Sequence, residues 1–198
     1  TGKLAIAFSV SPPQRTWLSA AFATAASLAP GRQTSPMQPL ALDEALGAYL
    51  VALGELAGGH LDECARLADR HTPILHQRNR YGDDVQWVEY HPAYRELERV
   101  AFGEFGIHAM SHRKGILGWP DTYPAAAKHA FTYLFNQAEF GLGCPINVTD
   151  GGAMLLSRFG DKGLQDKYLD GLTQTDMTKL TQGAQFMTPN GHISIEAQ

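Results

Sequence analysis

Cysteine is scarce in this sequence: its 198 residues include only Cys64 and Cys144, which share no motif spacing. This pattern indicates neither a disulfide framework nor a zinc motif and is typical of a reduced, intracellular protein. Long apolar runs are also missing, since none approaches the ~20 residues of a membrane-spanning helix, so no membrane association is expected. Cationic excess is missing too, because 16 Lys and Arg stand against 20 Asp and Glu. The net charge of −4 argues against nucleic acid as a partner of this chain, since such binding normally needs clustered Lys and Arg.

Acidic residues are absent from the first 42 residues, which contain Lys3, Arg15 and Arg32 and are rich in Ala, Ser and Thr. This composition is compatible with a transit or secretory segment. It is equally the composition of a loosely packed extension or cloned leader, and we assign residues 1–38 to an irregular N-terminal extension or leader. A cytoplasmic location is expected, or an organellar one if residues 1–38 are a transit segment.

The apolar spacing from Asp43 onward is helical. Leu46, Leu50 and Leu53 recur at spacings of three and four, with Asp43 as a candidate N-cap and Gly58-Gly59 as a stop. Further helices are predicted over residues 61–70, 92–105, 124–140 and 146–159, with shorter pieces at 164–169 and 176–180. Residues 85–88 are a candidate extended segment, but only residues 185–187 are predicted as a strand. The predicted fold is all-α: an antiparallel helical bundle over residues 43–180 without a sheet of its own, followed by a C-terminal strand stub.

Two local patterns invite a ligand interpretation. His108 and His112 are four residues apart, as on one face of a helix, but no Glu lies between them and no third metal ligand is evident. We therefore predict no metal site and interpret both as solvated side chains near a loop. Gly141-Leu142-Gly143-Cys144-Pro145 lacks a preceding strand and the G-x-G-x-x-G spacing of a phosphate loop, so it is interpreted as a turn between helices.

Several sequence blocks resemble one enzyme family. Thr181-Gln182-Gly183-Ala184-Gln185-Phe186-Met187-Thr188 resembles the strand that opens the β-domain of acyl-CoA dehydrogenases, where a motif (F/Y/Q)-x-x-T-E-x-x-x-G-S-D lies against the flavin of FAD. The upstream blocks resemble the AidB-type, alkylation-response branch of that family. They are, in order, Asp69-Arg70-His71-Thr72-Pro73, Arg80-Tyr81-Gly82, Val88-Glu89-Tyr90-His91-Pro92-Ala93-Tyr94, Gly143-Cys144-Pro145-Ile146-Asn147-Val148-Thr149 and Lys167-Tyr168-Leu169-Asp170-Gly171-Leu172. The resemblance covers about residues 39–188 and departs from the motif at Pro189-Asn190-Gly191-His192, where Glu and the Gly-Ser-Asp run are expected.

The resemblance implies the N-terminal portion of an FAD-dependent oxidoreductase that carries out α,β-dehydrogenation of acyl-CoA. It implies a domain of residues 39–182 like the family's N-terminal helical domain, with residues 183–198 forming the start of the β-domain and a divergent tail. The family places its catalytic base in a later domain, so we expect no catalytic residue here and an inactive isolated chain. The full-length form is expected to take an acyl-CoA substrate and to be a homo-oligomer. The alternative is a stand-alone helical module for protein interaction or stress response, without redox activity.

The resemblance also assigns site residues. Backbone groups near Gln185 and Met187 would face the pyrimidine edge of the flavin, and the hydroxyl of Thr188 would reach its O4/N5 side. Ile146, Val148 and Thr149 would line the wall of the acyl pocket; an equally good interpretation is that they only pack their helix against its neighbours. Because this helical domain packs on later domains in the family, parts of residues 146–156 and 186–187 should present an uncovered apolar face.

Overall fold

The computed structural model describes residues 39–187 and 193–197, with side-chain surroundings defined for residues 44–184. Its α-helices are α1 (Pro39–Ala57), α2 (His60–Arg70), α3 (Pro92–Glu98), α4 (Ala125–Ala138), α5 (Gly143–Phe159) and α6 (Lys162–Leu172). A π-helix (Arg99–Glu104) continues α3, and a 3-10 helix (Ile116–Gly118) precedes α4. The strands are β1 (Ile74–Arg78), β2 (Asp84–Glu89), β3 (Gly183–Met187) and β4 (Ile193–Ala197), which form two separate antiparallel pairs, β1–β2 and β3–β4.

The helices form the predicted all-α bundle around one apolar core. Helix α1 packs on α2 and α4, α2 packs on α3, and α5 packs on α6 and β3. The largest side chains that are fully enclosed are Phe102, Phe131, Phe135, Leu53, Leu61 and Leu97. Each such side chain contributes about 1.5–3 kcal/mol relative to an exposed one, so the bundle is held mainly by these contacts. The predicted stripe of α1 is confirmed at Leu46, Leu50 and Leu53.

Helix boundaries follow the predicted Gly and Pro signals in most places. Helix α1 ends at Ala57 before Gly58-Gly59, and α3 begins at Pro92, where the His91 Nδ1 accepts a hydrogen bond from the Ala93 N–H at 3.1 Å. Helix α1 begins at Pro39, so the prediction that Asp43 caps its start was wrong. Residues 176–180 form turns instead of the predicted helix, and α6 is longer than expected.

The prediction that residues 43–180 contain no sheet was wrong. Strands β1 and β2 form a hairpin whose turn is closed by Asn79, since its Oδ1 accepts hydrogen bonds from the Tyr81 and Asp83 N–H groups at 2.8 and 3.1 Å. The rings of His76 and Trp87 stack across the strands, with their centroids 4.4 Å apart. The hairpin is exposed along nearly its whole length, so it lies on the surface of the bundle and contributes little to the helical core.

The predicted strand stub is part of a hairpin. Residues 185–187 belong to β3, which begins at Gly183, and β4 pairs with it in regular antiparallel register from Gly183↔Ala197 to Met187↔Ile193. Strand β4 lies in the segment that the sequence marked only as a divergent tail. Both cysteines are free, with Cys64 buried and Cys144 exposed.

Candidate functional site

The site is built on the first half of α5. A turn at residues 139–142 separates α4 from α5, and the Glu139 Oε1 accepts a hydrogen bond from the Leu142 N–H at 3.2 Å. The turn predicted at residues 141–145 is confirmed only at Gly141 and Leu142, because α5 begins at Gly143. This turn sends residues 146–149 into the first turns of α5. Ile146 packs in the apolar core, Thr149 is fully buried, and Val148 is half-buried. The three predicted wall residues therefore lie on one helix, with two of them committed to the interior.

Thr149 joins α5 to β3. Its Oγ1 accepts a buried hydrogen bond from the Gly183 N–H at 3.0 Å. The backbones approach so closely that a Cβ at position 183 would lie 3.1 Å from both the Thr149 Cα and the Val148 carbonyl oxygen. Such distances are below ordinary van der Waals contact, so a larger residue at position 183 would push the two backbones apart by a few tenths of an ångström. The segment predicted as a pocket wall and the strand predicted to face a cofactor are thus in direct contact.

The outer edge of β3 carries backbone groups that no described strand pairs with. In an antiparallel pair, the N–H and C=O of one residue point to the same side, and that side alternates along the strand. Because the Gly183 N–H is directed at α5, the backbone groups of Gln185 and Met187 lie on the same outer edge, away from β4. No other described strand pairs with that edge. The side chains of Gln185 and Met187, and the whole of Thr188, lie outside the described residues.

A charged cluster supports α5 next to this junction. Asp150 accepts a hydrogen bond from the His112 Nε2 at 2.8 Å on one carboxylate oxygen and pairs with the Lys128 ammonium through the other. Burial raises the pKa of Asp150, but the hydrogen bonds from His112 and Lys128 outweigh burial and hold that pKa below its ordinary value. Since Lys128 is itself buried, the cluster fixes α5 against α4 and the loop that carries His112. The sequence analysis did not identify this cluster.

His108 and His112 serve different partners. The Nε2 of His108 lies 3.1 Å from the Gln174 carbonyl oxygen, whereas His112 binds Asp150. His108 is fully buried and its Nδ1 has no partner within the described part of the chain. Burial lowers the pKa of His108 to about 4. The interpretation of these two residues as solvated side chains was therefore wrong.

Part of α5 presents the uncovered apolar face that the sequence predicted. Met154 and Leu155 are 41% and 42% exposed, and Phe159 at the end of the helix is 78% exposed. Ile146 does not belong to this face because it is buried. The side chains of Phe186 and Met187 are outside the described residues. The outer surface of the second half of α5 thus carries three exposed apolar side chains beside the exposed Ser157 and Arg158.

Three structural properties bear on partners. No group of three or more His, Cys, Asp or Glu residues in the described ranges could hold a metal ion. No described helix is both long and apolar enough to cross a membrane. An open groove of about 700 Å³ lies between the loop at residues 111–114 and α6, and it is lined by charges of both signs.

Comparison with known proteins identifies the fold family. A family model of the adaptive response protein AidB N-terminal domain matches residues 36–178. Among solved structures, the chain resembles Bd2924 in its apo form, with a TM-score of 0.70 and 22% identity, covering 92% of this chain and 34% of that one. It also resembles Caenorhabditis elegans ACDH-11 in complex with C11-CoA, with a TM-score of 0.67 and 18% identity, covering 87% of this chain and 28% of that one.

The two structural likenesses show a shared fold, and the chain spans about a third of the length of either protein. No curated protein is a significant match to the sequence. The family model, by contrast, matches well over half of the chain. The chain therefore belongs to the AidB N-terminal domain family and carries an acyl-CoA dehydrogenase-type N-terminal helical domain.

Proposed function

We propose that this chain is the N-terminal portion of an FAD-dependent acyl-CoA dehydrogenase-type oxidoreductase, whose full-length form removes hydrogen across the α,β-carbons of an acyl-CoA. The observation that carries the proposal is the hydrogen bond between the Thr149 Oγ1 and the Gly183 N–H. It joins the helix proposed to form the acyl-pocket wall to the strand proposed to face the flavin. A role in the response to alkylation follows from the same family resemblance, and a cytoplasmic location from the two cysteines that share no motif spacing.

The outer edge of β3 fits one edge of a flavin ring. The backbone N–H and C=O groups of Gln185 and Met187 lie on that edge, where no described strand uses them, and in this proposal they hold the pyrimidine edge while the Thr188 hydroxyl reaches the O4/N5 side. FAD, when bound, supplies the hydride acceptor for such a dehydrogenation. The role of this chain is to bind and orient, with residues 146–149 excluding water from one side of the acyl chain.

The chain alone is expected to be inactive and to hold FAD weakly. Two or three hydrogen bonds from β3 contribute ~0.5–1.5 kcal/mol each. Association costs at least ~4 kcal/mol, so the net free energy of binding is close to zero. The family resemblance places the catalytic base in a later domain, so Glu139, whose Oε1 accepts the Leu142 N–H at the α4–α5 turn, is not proposed as the base.

We further propose that the face formed by Met154, Leu155 and Phe159 packs on the remaining domains of the longer protein. Contiguous exposed apolar patches mark interaction sites in soluble proteins, and Leu155 and Phe159 are neighbours on the helix surface because they are four residues apart. The relatives extend well beyond the part that this chain covers, since it spans 34% of one and 28% of the other. Homo-oligomers are expected only of the longer form.

The decisive experiment is co-expression of this chain with a β-domain and C-terminal domain from a related dehydrogenase. The assembled protein should be yellow, and acyl-CoA should bleach its flavin absorbance, whereas the chain with added FAD should show neither effect. Thr149→Val should reduce flavin retention in the assembly, because it removes the acceptor for Gly183. Thr132→Val is the matched control, since Thr132 only donates to a carbonyl within α4.

Acyl-CoA-dependent bleaching by the chain alone would contradict its proposed inactivity. A colourless assembly that is nevertheless stably associated would contradict the redox function. That second result would support the alternative, a helical module that serves in protein association.

A further inference from the structure

A small cleft lies on the bundle next to the β1–β2 hairpin. It has a volume of about 180 Å³ and is formed by the end of α2, the beginning of α3 and the end of α4. The polar and aromatic residues that line it are Asp69, His71, Tyr90, His91, Tyr94 and Glu139. Most of them belong to the sequence blocks at residues 69–73 and 88–94, to which the proposed redox function assigns no role.

Two stacked ring pairs give the cleft fixed walls. The rings of His71 and His91 stack with centroids 4.5 Å apart, and those of Tyr90 and Tyr94 stack at the same distance. Because each ring covers one face of its partner, the two rings of a pair restrict each other's movement. A ligand in the cleft therefore meets aromatic and imidazole rings as well as polar atoms.

Main-chain contacts determine which histidine nitrogens carry hydrogen. The Nδ1 of His71 donates to the Leu67 carbonyl at 2.9 Å, so its neutral ring has an acceptor at Nε2. The Nδ1 of His91 accepts from the Ala93 N–H, which leaves the hydrogen on Nε2. Neither Nε2 has a hydrogen-bond partner among the described residues. The cleft thus offers a free imidazole acceptor close to its carboxylates.

The charge of the cleft is negative. Asp69 and Glu139 contribute carboxylates, neither has an ion-pair partner among the described residues, and no Lys or Arg lines the cleft. The guanidinium of Arg95 lies over the Tyr90 ring and is bound to Glu98 at 2.7 Å. Burial first, and then the neighbouring Glu98, raise the pKa of the Tyr94 hydroxyl, which is consistent with a negative environment.

We propose that this cleft binds a primary ammonium group on a short aliphatic stem, held by the Asp69 and Glu139 carboxylates with the stem against the tyrosine and histidine rings. An anion would be repelled by both carboxylates. A quaternary ammonium would bring no hydrogen-bond donors for the two carboxylates and the imidazole nitrogen. A primary ammonium brings three donors, which match the two carboxylates and the free imidazole acceptor.

The test is a titration of the full chain with n-butylammonium, followed through the imidazole NMR signals of His71 and His91. Saturable shifts are expected, and Asp69→Asn and Glu139→Gln should each weaken binding about tenfold, or about 1.4 kcal/mol. Neither change threatens folding, because Asp69 is exposed and glutamine keeps the acceptor for the Leu142 N–H. Asp166→Asn is the control, because it also removes one negative charge but at a different place. Asp166 lines the groove between residues 111–114 and α6, and it pairs with Lys162.

Four results would each overturn the proposal. They are a titration without saturation, shifts with uncharged n-butanol equal to those with n-butylammonium, tighter binding of tetramethylammonium than of n-butylammonium, and weakening by Asp166→Asn equal to that by Asp69→Asn or Glu139→Gln. A second arm identifies the source of the ammonium group. Nα-acetyl-lysine methylamide that binds as well as n-butylammonium indicates a lysine side chain of a partner protein. Binding at least tenfold weaker than that of n-butylammonium indicates a free small amine.

Discussion

Replacement of Thr149 by valine tests the junction between α5 and β3 with little change of shape. Thr149 is fully enclosed, and its Oγ1 is the acceptor for the buried Gly183 N–H. Valine keeps the branched side chain but leaves this donor without a partner, which costs ~1–3 kcal/mol. For a chain of this length, each kcal/mol lowers the melting temperature by ~2–4 °C. The expected decrease is therefore ~2–12 °C.

Urea unfolding measures this loss globally, and hydrogen exchange at the Gly183 amide measures it locally. The amide should exchange faster in Thr149→Val, whereas amides in the middle of α4 should change little. Thr132→Val is the control, since it removes a half-buried hydroxyl that only donates within α4. Unchanged Gly183 protection, together with a stability equal to that of the control, would refute the role assigned to Thr149.

Three further changes probe the same region by urea unfolding. Gly183→Ala should cost ~1–3 kcal/mol by overpacking, because its Cβ would lie 3.1 Å from the Thr149 Cα; an unchanged midpoint would contradict this. Asp150→Asn should cost ~3 kcal/mol by leaving the buried Lys128 without its carboxylate. The same change should make the free energy of unfolding depend less on pH in acid. Folding lowers the pKa of Asp150 below its unfolded value of 3.8, so Asp150 stabilises the fold at pH above 3.8, and this stabilisation is lost as the pH falls through the folded pKa. Burial lowers the pKa of His108 to about 4, so between pH 6.5 and about 4 the unfolded chain binds a proton that the folded chain does not, and the fold loses stability as the pH falls. His108→Gln should remove this part of the pH dependence; an unchanged pH profile would contradict this.

The helices were predictable because their signals are local. Gly58-Gly59 and Gly160 end helices, and His91-Pro92 begins one, through backbone properties that the neighbouring residues supply. The hairpin β1–β2 was predicted only in part. Residues 85–88, the candidate extended segment, lie in β2, but β1 has no comparable signal because its residues are nearly all exposed. It depends instead on the Asn79 turn and on the stacking of His76 against Trp87.

The site was predictable in part. Thr149 and the strand at residues 185–187 were identified through the family resemblance, but their meeting point was not, since Gly183 lies 34 residues from Thr149 along the chain. The Asp150 cluster was missed for the same reason, because its partners come from two other segments. One signal was present: Lys128 adjoins the apolar stripe of α4 at Ala127 and Phe131, and a charge beside such a stripe needs a partner when it is buried.

Adjacent residues give α5 two different attachments. Thr149 binds the backbone of β3, and Asp150 binds His112 and the buried Lys128. A shift of α5 that kept the bond to Gly183 would strain the ion pair with Lys128, whose breakage leaves a charge in the interior. The position of the β3 edge is therefore tied to the bundle core through two consecutive residues. In a longer protein, a cofactor held on that edge would meet a surface whose distance from the wall helix is set by the core.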